Sequence, residues 1–315
     1  MATEPFFAGA YTFFENQLQI FLNERLQNVT HAVVGPLTSA IVIYIVIYAI
    51  AIMRGVVSEP LTDFIWRMGK VCVIFVAATT VAYQDWIVDP IFHAAPAALT
   101  QAIAGQGYDN TGTNFDKLYA FADGTLTTLR DHPGNYNPVT ALTVGFQLTL
   151  VAVILEVVAI AVCVIGFALT VFALLGLSIT IALGPIFIAL SLFEWGKGMF
   201  QGWLRQAFNY VVQLAVITAM SSLMIALAAK AIPQPPVDQN IANQAYRVIV
   251  FYLFGGFFFF QASGIASGIT GGVGSSGGEL LASGVAAATL AARRVSKMMP
   301  KRTPRKPGSG GEISA

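Results

Sequence analysis

The sequence predicts an all-α polytopic membrane protein with about five transmembrane helices and one re-entrant or kinked segment. Of its 315 residues, 56% are hydrophobic and only 10% are charged, and the mean hydropathy is +0.69. A soluble domain is about 25% charged, so this chain has too little polar surface to cover a water-facing globule. Several nearly uncharged runs approach the ~20 residues that a helix needs to cross a bilayer. An N-terminal amphipathic helix and one large extracytoplasmic loop complete the predicted architecture.

Residues 1–33 are predicted to form the amphipathic N-terminal helix, periplasmic or lying at the membrane interface. Between residues 6 and 29, apolar side chains recur at steps of three and four while polar ones fill much of the other side, which is the period of an α-helix. Arg25 is the only cation in this stretch. Because lipid-binding surface helices are usually richer in Lys and Arg, packing against a neighbouring subunit is favoured over the alternative of lipid binding.

Residues 34–88 are predicted to hold the first two spans. Gly35–Pro36 opens the nearly uncharged run 37–53, and the second run covers 71–88. Each run is long enough to cross the bilayer with help from the residues that flank it.

Residues 89–138 are predicted to form a periplasmic loop, the largest piece outside the membrane. Glycine, proline and aspartate are frequent throughout it, a composition typical of loops. Short helices are expected within it at 91–104 and 115–130.

Residues 139–262 are predicted to form the main transmembrane block. The block contains four strongly apolar segments, at 139–163, 166–192, 206–231 and 246–262. The Gly184–Pro185 step interrupts the second segment, and proline removes a helical hydrogen bond. We therefore expect a helix break near residue 184.

The last two predicted regions are a Gly/Ala-rich helix or linker at 263–292 and a basic, disordered cytoplasmic tail at 293–315. Gly264, Gly268 and Gly272 recur every four residues, so they would share one helical face and allow close helix packing. A flexible glycine–serine linker is an equally good interpretation of this region.

The basic residues predict the direction of the spans, because short cytoplasmic loops carry an excess of Lys and Arg. Arg54, Arg67 and Lys70 place the first connector in the cytoplasm, and the basic tail lies on the same side. The loop 89–138 and the N-terminus are then outside. An odd number of crossings must follow the loop, so one of the four later segments does not cross, and the break near 184 nominates 166–192 as re-entrant or strongly kinked. Six crossings with an internal N-terminus divide the charges equally well.

No catalytic, cofactor-binding or metal-binding constellation is predicted. The sequence lacks the G-x-x-x-x-G-K-[ST] pattern of a phosphate-binding loop. The glycine motifs between 272 and 278 follow no predicted strand and reflect glycine density. His31, His93 and His132 have no ligand spacing, and Cys72 and Cys163 lie far apart in apolar runs.

Glu156 is the one carboxylate well inside a predicted span. An ionisable group in the membrane is costly and is by default a functional candidate. Glu156 acting together with the broken helix at Pro185 would suit a secondary transporter. A hydrogen bond across a subunit interface is the favoured alternative, because no basic residue in another span offers a partner.

The connector 193–205 carries tryptophan and cationic residues, namely Trp195, Lys197, Trp203 and Arg205. Tryptophan is enriched at membrane–water interfaces. These side chains are predicted to anchor the connector at the interface, with docking of a cytoplasmic partner as the alternative.

The stretch 184–213 resembles the hallmark region of the TrbL family, the polytopic inner-membrane components of type IV secretion systems and the sixth member of the VirB series. It reads GPIFIALSLFEWGKGMFQGWLRQAFNYVVQ. The features in common with the family are Gly184–Pro185 in an apolar segment, then Phe200 and Trp203 leading into the next span, with Arg205 after them. The order of elements along the rest of the chain is also similar to that of the family.

The resemblance implies a non-enzymatic platform or channel subunit that supports conjugative DNA or protein translocation and pilus assembly, without a cofactor. It also implies a homo-oligomer in the bacterial inner membrane. Its partners would be other type IV secretion subunits, including pilus or stalk proteins and cytoplasmic ATPases. It would also contact membrane lipid and, transiently, the translocated DNA or protein. Five crossings, an external N-terminus and a cytoplasmic C-terminus are the family expectation.

Overall fold

The computed structural model describes residues 5–55, 61–79, 83–104, 110–130, 138–231 and 241–271. Within these residues 96% are helical and there is no strand, so the predicted all-α polytopic class is confirmed. The helices are α1 (Phe6–Met53), α2 (Leu61–Thr79), a π-helix (Gln84–Ala94), α3 (Ala95–Ala104), α4 (Thr111–Arg130), α5 (Pro138–Ala182), α6 (Gly184–Leu190), a 3₁₀ turn (Glu194–Gly196), α7 (Lys197–Ala231) and α8 (Ile241–Thr270).

The N-terminal amphipathic helix and the first span are one continuous helix, α1. It runs for 48 residues and contains Pro36 in its interior, so the N-terminal helix that was predicted to end at residue 33 continues into the first span without a break. Pro36 is exposed and lies on the side of α1 that faces α6, where it lines a cleft with Ile186 and Ala189. The hydroxyls of Thr38 and Ser39 donate to the carbonyls of Val34 and Gly35, one turn back.

The two apolar segments predicted at 139–163 and 166–192 are also joined, in the 45-residue helix α5. Gly166 and Gly176 do not break this helix but make room for aromatic rings. A Cβ on Gly166 would clash with the ring of Phe115, and one on Gly176 with the ring of Tyr210. A re-entrant hairpin over 166–192 is therefore wrong, whereas the break near residue 184 is confirmed.

Joining those segments removes the need for a re-entrant span. Four described helices are long and apolar enough to cross a bilayer, and a fifth span results if α2 and the π-helix, which meet at 61°, are counted together. Helices α5, α7 and α8 then give three crossings after α4. The odd number required by the charge distribution is met by continuous helices.

Residues 111–130 form a core helix where a soluble loop was expected. The short helices predicted at 91–104 and 115–130 are present, but α4 packs between α1, α5, α7 and α8. Its side chains Phe115, Leu118 and Ala122 are fully buried. The expectation of a solvated segment is wrong because the apolar face of this helix is covered by the long helices.

The polar groups of α4 are matched by α7. Thr111 and Thr218 share a hydrogen bond of 3.0 Å between their hydroxyls. The Asn114 amide donates to the Ser221 hydroxyl at 2.9 Å. Because buried polar groups are costly unless they are paired, these contacts allow a moderately polar helix to sit among apolar ones.

Two apolar clusters form the core, and α5 belongs to both. The first joins α4, α5, α7 and α8 around Phe115, Leu155, Tyr252 and Phe259. The second joins α1, α2, the π-helix, α6 and α7 to the other end of α5. Outside these clusters the long helices present large apolar side chains, such as Phe257 on α8, as expected of helices that face lipid.

The N-terminus of α1 is fixed to α4 by a carboxylate. The Asp116 oxygens accept from the backbone N–H groups of Phe7 and Ala8 at 2.9 and 2.8 Å. These groups belong to the first turn of α1, where N–H groups lack helical partners. Gly112 allows this approach, since a Cβ there would clash with the Phe7 carbonyl. Asp116 thus caps a helix more than one hundred residues away in sequence.

Asp116→Ala should free the first turn of α1 from α4. A cap of this kind contributes about 0.5–2 kcal/mol, so amide exchange at Phe7 and Ala8 should speed up about tenfold, as measured by hydrogen–deuterium exchange in detergent. Lys117→Ala, at an exposed neighbour on the same helix, is the control and should leave that exchange unchanged. Equal exchange in the two variants would contradict the capping role.

Candidate functional site

The break between α5 and α6 leaves backbone carbonyls that α-helical bonds do not satisfy. Helix α5 ends at Ala182 and α6 begins at Gly184. Pro185 has no N–H to give to the Ile181 carbonyl, which would be its partner four residues earlier. In an apolar environment such a carbonyl needs another donor.

Two side chains from distant elements supply the donors. The Tyr83 hydroxyl donates to the Ile181 carbonyl at 2.5 Å, and the Trp203 indole N–H donates to the Thr180 carbonyl at 2.6 Å. Tyr83 immediately precedes the π-helix, and Trp203 lies in the second turn of α7. The break is therefore hydrogen-bonded to two other elements through the carbonyl groups that lack helical donors.

Gly184 is required at this point for space. Any Cβ there would clash with the Tyr83 hydroxyl and would lie 2.8 Å from Cζ2 of Trp203. Its backbone is not in the left-handed region, so the constraint is steric and not conformational. Pro185 beside it creates the break, and Gly184 lets the two donors reach it.

Aromatic rings complete this cluster, which we call the break site: Tyr83, Gly184, Pro185, Phe187, Phe200 and Trp203. The Trp203 ring stacks on Phe187 with centroids 6.4 Å apart and on Phe200 with centroids 5.6 Å apart. Trp203 is only 5% exposed. The prediction that Trp203 is an interfacial anchor is therefore wrong, because its ring and its N–H both point into the protein.

The other connector residues remain at the surface. Trp195 is 69% exposed and stacks on Phe193 with centroids 5.8 Å apart. Lys197 pairs with Glu194 at 2.7 Å, and Arg205 is exposed. These positions suit an interfacial anchor at Trp195, which stays a prediction.

Glu156 is not part of the break site. It is half-buried on α5, and 26 residues separate it from the end of that helix at Ala182, which is about 40 Å at 1.5 Å per residue. A single site formed by Glu156 and Pro185, as the transporter hypothesis requires, is not assembled within this chain.

Gly264 and Gly268, two of the glycines predicted to pack helices, do not pack against another helix among the described residues. A Cβ on Gly268 would meet nothing within 4 Å, and one on Gly264 would meet only the Gln261 side chain of its own helix. Gly272 lies outside the described residues. The close contacts of α8 are made at Gly255 and Gly256, against Met224 and Val162.

Other candidate chemistry is not brought together in the part of the chain that the structure describes. No group of three His, Cys, Asp or Glu side chains there could hold a metal ion. Cys72 is exposed and Cys163 is buried, and both are free thiols. His93 shares a 2.9 Å hydrogen bond with Gln19, and His132 lies outside the described residues.

Sequence reasoning found four residues of the break site and missed two. Tyr83 and Phe187 belong to no motif, so nothing local in the sequence marks them. The one available signal is the Gly–Pro step inside an apolar helix: it leaves carbonyls without helical donors, and a buried Tyr or Trp of another element can donate to them.

A family model described as TrbL/VirB6 plasmid conjugal transfer protein matches residues 41–265, a region that contains the whole break site. No curated protein matches the chain.

Trp203→Phe should destabilise the protein, because it keeps a stacking ring but leaves the Thr180 carbonyl without its indole donor. A buried acceptor left unpaired costs about 1–3 kcal/mol, which should lower the midpoint of thermal unfolding in detergent. Trp195→Phe makes the same change at an exposed ring and should alter stability by less than about 0.5 kcal/mol. The role of the break site would be refuted by equal midpoints for the two variants.

Proposed function

The chain belongs to the TrbL/VirB6 family of plasmid conjugal transfer proteins, and from this premise we propose that it is an inner-membrane platform subunit of a type IV secretion system. The family is a structural component of conjugation and not a known enzyme. As a platform the chain would assemble around the translocation route and support the pilus, and the passage of DNA or protein would depend on partner ATPases.

The observation that carries the proposal is the break site. The residues of the family-like stretch, Gly184, Pro185, Phe200 and Trp203, converge on one buried cluster. A cluster that joins three parts of the chain fixes a shape without forming a cavity for a reaction. This is the property expected of a subunit that acts by holding others in place.

Other features support a role inside a larger membrane assembly. The apolar outer surfaces of α1, α5 and α8 suit contact with lipid or with further copies of the chain. Gly264 and Gly268 leave a close-approach surface on α8 that no other helix among the described residues uses. We propose that copies of the chain pack there, and that the pilus or stalk proteins meet the periplasmic end.

We further propose that the N-terminus and the segment 89–138 face the periplasm and that the C-terminus is cytoplasmic. The support comes from Arg54, Arg67 and Lys70 at one end of the first two spans and from the basic tail. Three crossings by α5, α7 and α8 agree with this orientation.

Deleting the gene should abolish conjugative transfer and pilus formation while leaving solute uptake unchanged. Complementation with the wild-type gene should restore transfer, whereas Trp203→Ala should not, because the break site loses its indole donor and ring. Trp195→Ala is the matched control and should complement. Normal transfer by the deletion strain would refute the proposal, and a loss of solute uptake would favour a transporter.

The orientation is tested by single cysteines placed in a chain carrying Cys72→Ala and Cys163→Ala. An impermeant maleimide applied outside the inner membrane should label Ala120→Cys and Asp238→Cys. It should label Pro60→Cys, Gly198→Cys and Arg305→Cys only after permeabilisation. External labelling at position 60 together with protection at position 120 would reverse the first half of the proposed topology.

A further inference from the structure

A cleft lies between α1 and α6, just beyond the break at Pro185. It has a volume of about 260 Å³. Every side chain that lines it is apolar: Ala32, Val33, Pro36, Leu37, Ala40, Ile186, Ala189, Leu190 and Phe193. We call it the α1–α6 cleft.

Small side chains and the helix break together leave this space unfilled. Ala32 and Ala40 on α1 and Ala189 on α6 are too short to meet across it. Because α6 starts anew at Gly184 instead of continuing α5, its axis is free to diverge from the neighbouring helices. An apolar space of this kind in a membrane protein is open to the apolar parts of lipid.

The volume and the apolar lining of the cleft favour a lipid acyl chain over a helix or a polar ligand. A helix is about 10–12 Å wide with its side chains, which is too wide for a space of this volume. A polar ligand would find no side-chain hydrogen-bond partner in the lining and would lose its contacts with water. An acyl chain is unbranched, apolar and narrow, so it matches the lining.

The rim of the cleft has the character of the lipid headgroup region. Phe193 lines the cleft and stacks on Trp195, which is 69% exposed. On α2, Trp66 is 74% exposed and precedes Arg67. Exposed tryptophans of this kind mark the membrane–water interface, so the open end of the cleft is at headgroup depth.

Two cations lie near the carboxylate of Glu194, the residue that follows Phe193 of the lining. Lys197 comes four residues after Phe193, and its ammonium pairs with this exposed carboxylate at 2.7 Å. The hydrogen bond and the charge of Lys197 lower the pKa of the Glu194 carboxyl, and the charge of Arg67 adds a smaller effect. The Arg67 guanidinium lies over the Tyr48 ring of α1, 5.0 Å from its centroid. A surface ion pair such as that of Lys197 with Glu194 is weak, so an anion with more acceptor oxygens, such as a phosphodiester, can take the place of the carboxylate.

From this juxtaposition we propose that the α1–α6 cleft binds one acyl chain of an anionic phospholipid, with the lipid phosphate held by Lys197 and Arg67. The apolar lining supplies the site for the chain, and the two cations supply the preference for negative charge. This lipid would fill the space between α1 and α6 and so fix the first span against the break site. The inference is independent of the proposed role in secretion.

The test is retention of lipid by the full-length protein in nanodiscs of phosphatidylcholine and phosphatidylglycerol, followed by release and native mass spectrometry. The wild-type protein should retain one phosphatidylglycerol in preference to phosphatidylcholine. Ala189→Trp fills the cleft and should lower that retention at least about tenfold. Lys197→Gln should still retain a lipid but should lose the preference for phosphatidylglycerol.

Matched controls separate the site from general effects of the substitutions. Ala161→Trp places the same large ring on the exposed outer face of α5, and Lys230→Gln removes a cation near the other end of α7. Both should bind lipid as the wild type does, and all variants should elute at the same volume in detergent. Retention by Ala189→Trp equal to that by Ala161→Trp would overturn the proposal. So would a wild-type protein without preference, or a wild-type protein whose cleft is closed by a second copy and holds no lipid.

Discussion

Inside a bilayer every backbone polar group must find its partner within the protein, and this constraint organises the molecule around the Gly184–Pro185 step. Proline deprives one carbonyl of its helical donor, so an outside donor has to be brought to it. Tyr83 and Trp203 meet this need from two different elements, and Gly184 leaves the space in which they do so. The helix break is consequently a junction between α5, α6, α7 and the segment before the π-helix, and not a flexible point.

The pairing of buried polar groups also explains how α4 can lie in the core. This helix carries Thr, Asn and Asp side chains that would be costly among apolar helices if they were unpaired. Thr218 and Ser221 of α7 accept or share the hydrogen bonds of its threonine and asparagine, and Asp116 uses its charge to cap α1. A further carbonyl of α4, that of Leu118, accepts from the Tyr252 hydroxyl of α8. Hydrogen bonds between polar side chains therefore hold this helix in the core in addition to its apolar contacts.

The break site lies within the part of the chain that the family model matches. The family match covers residues 41–265, and four residues of the family-like stretch belong to the break site, namely Gly184, Pro185, Phe200 and Trp203. Their shared task in this chain is mechanical, since they join elements and exclude water. The junction joins α5, α6 and α7 to the segment before the π-helix, and large apolar side chains remain exposed on the outer faces of the long helices.

The sequence by itself determined the membrane class, the approximate positions of the apolar helices and the break near residue 184. These features follow from local composition and from the missing N–H of one proline, which need no knowledge of the rest of the chain. Only the tertiary structure decided that α1 continues through Pro36, that α5 continues through Gly166, and that Trp203 points inward. The last two depend on contacts between residues far apart in sequence: whether a glycine faces an aromatic ring, and whether a carbonyl lies within reach of an indole. Hydropathy and spacing record which residues prefer to leave water, but not which distant donor or ring will occupy the space beside them.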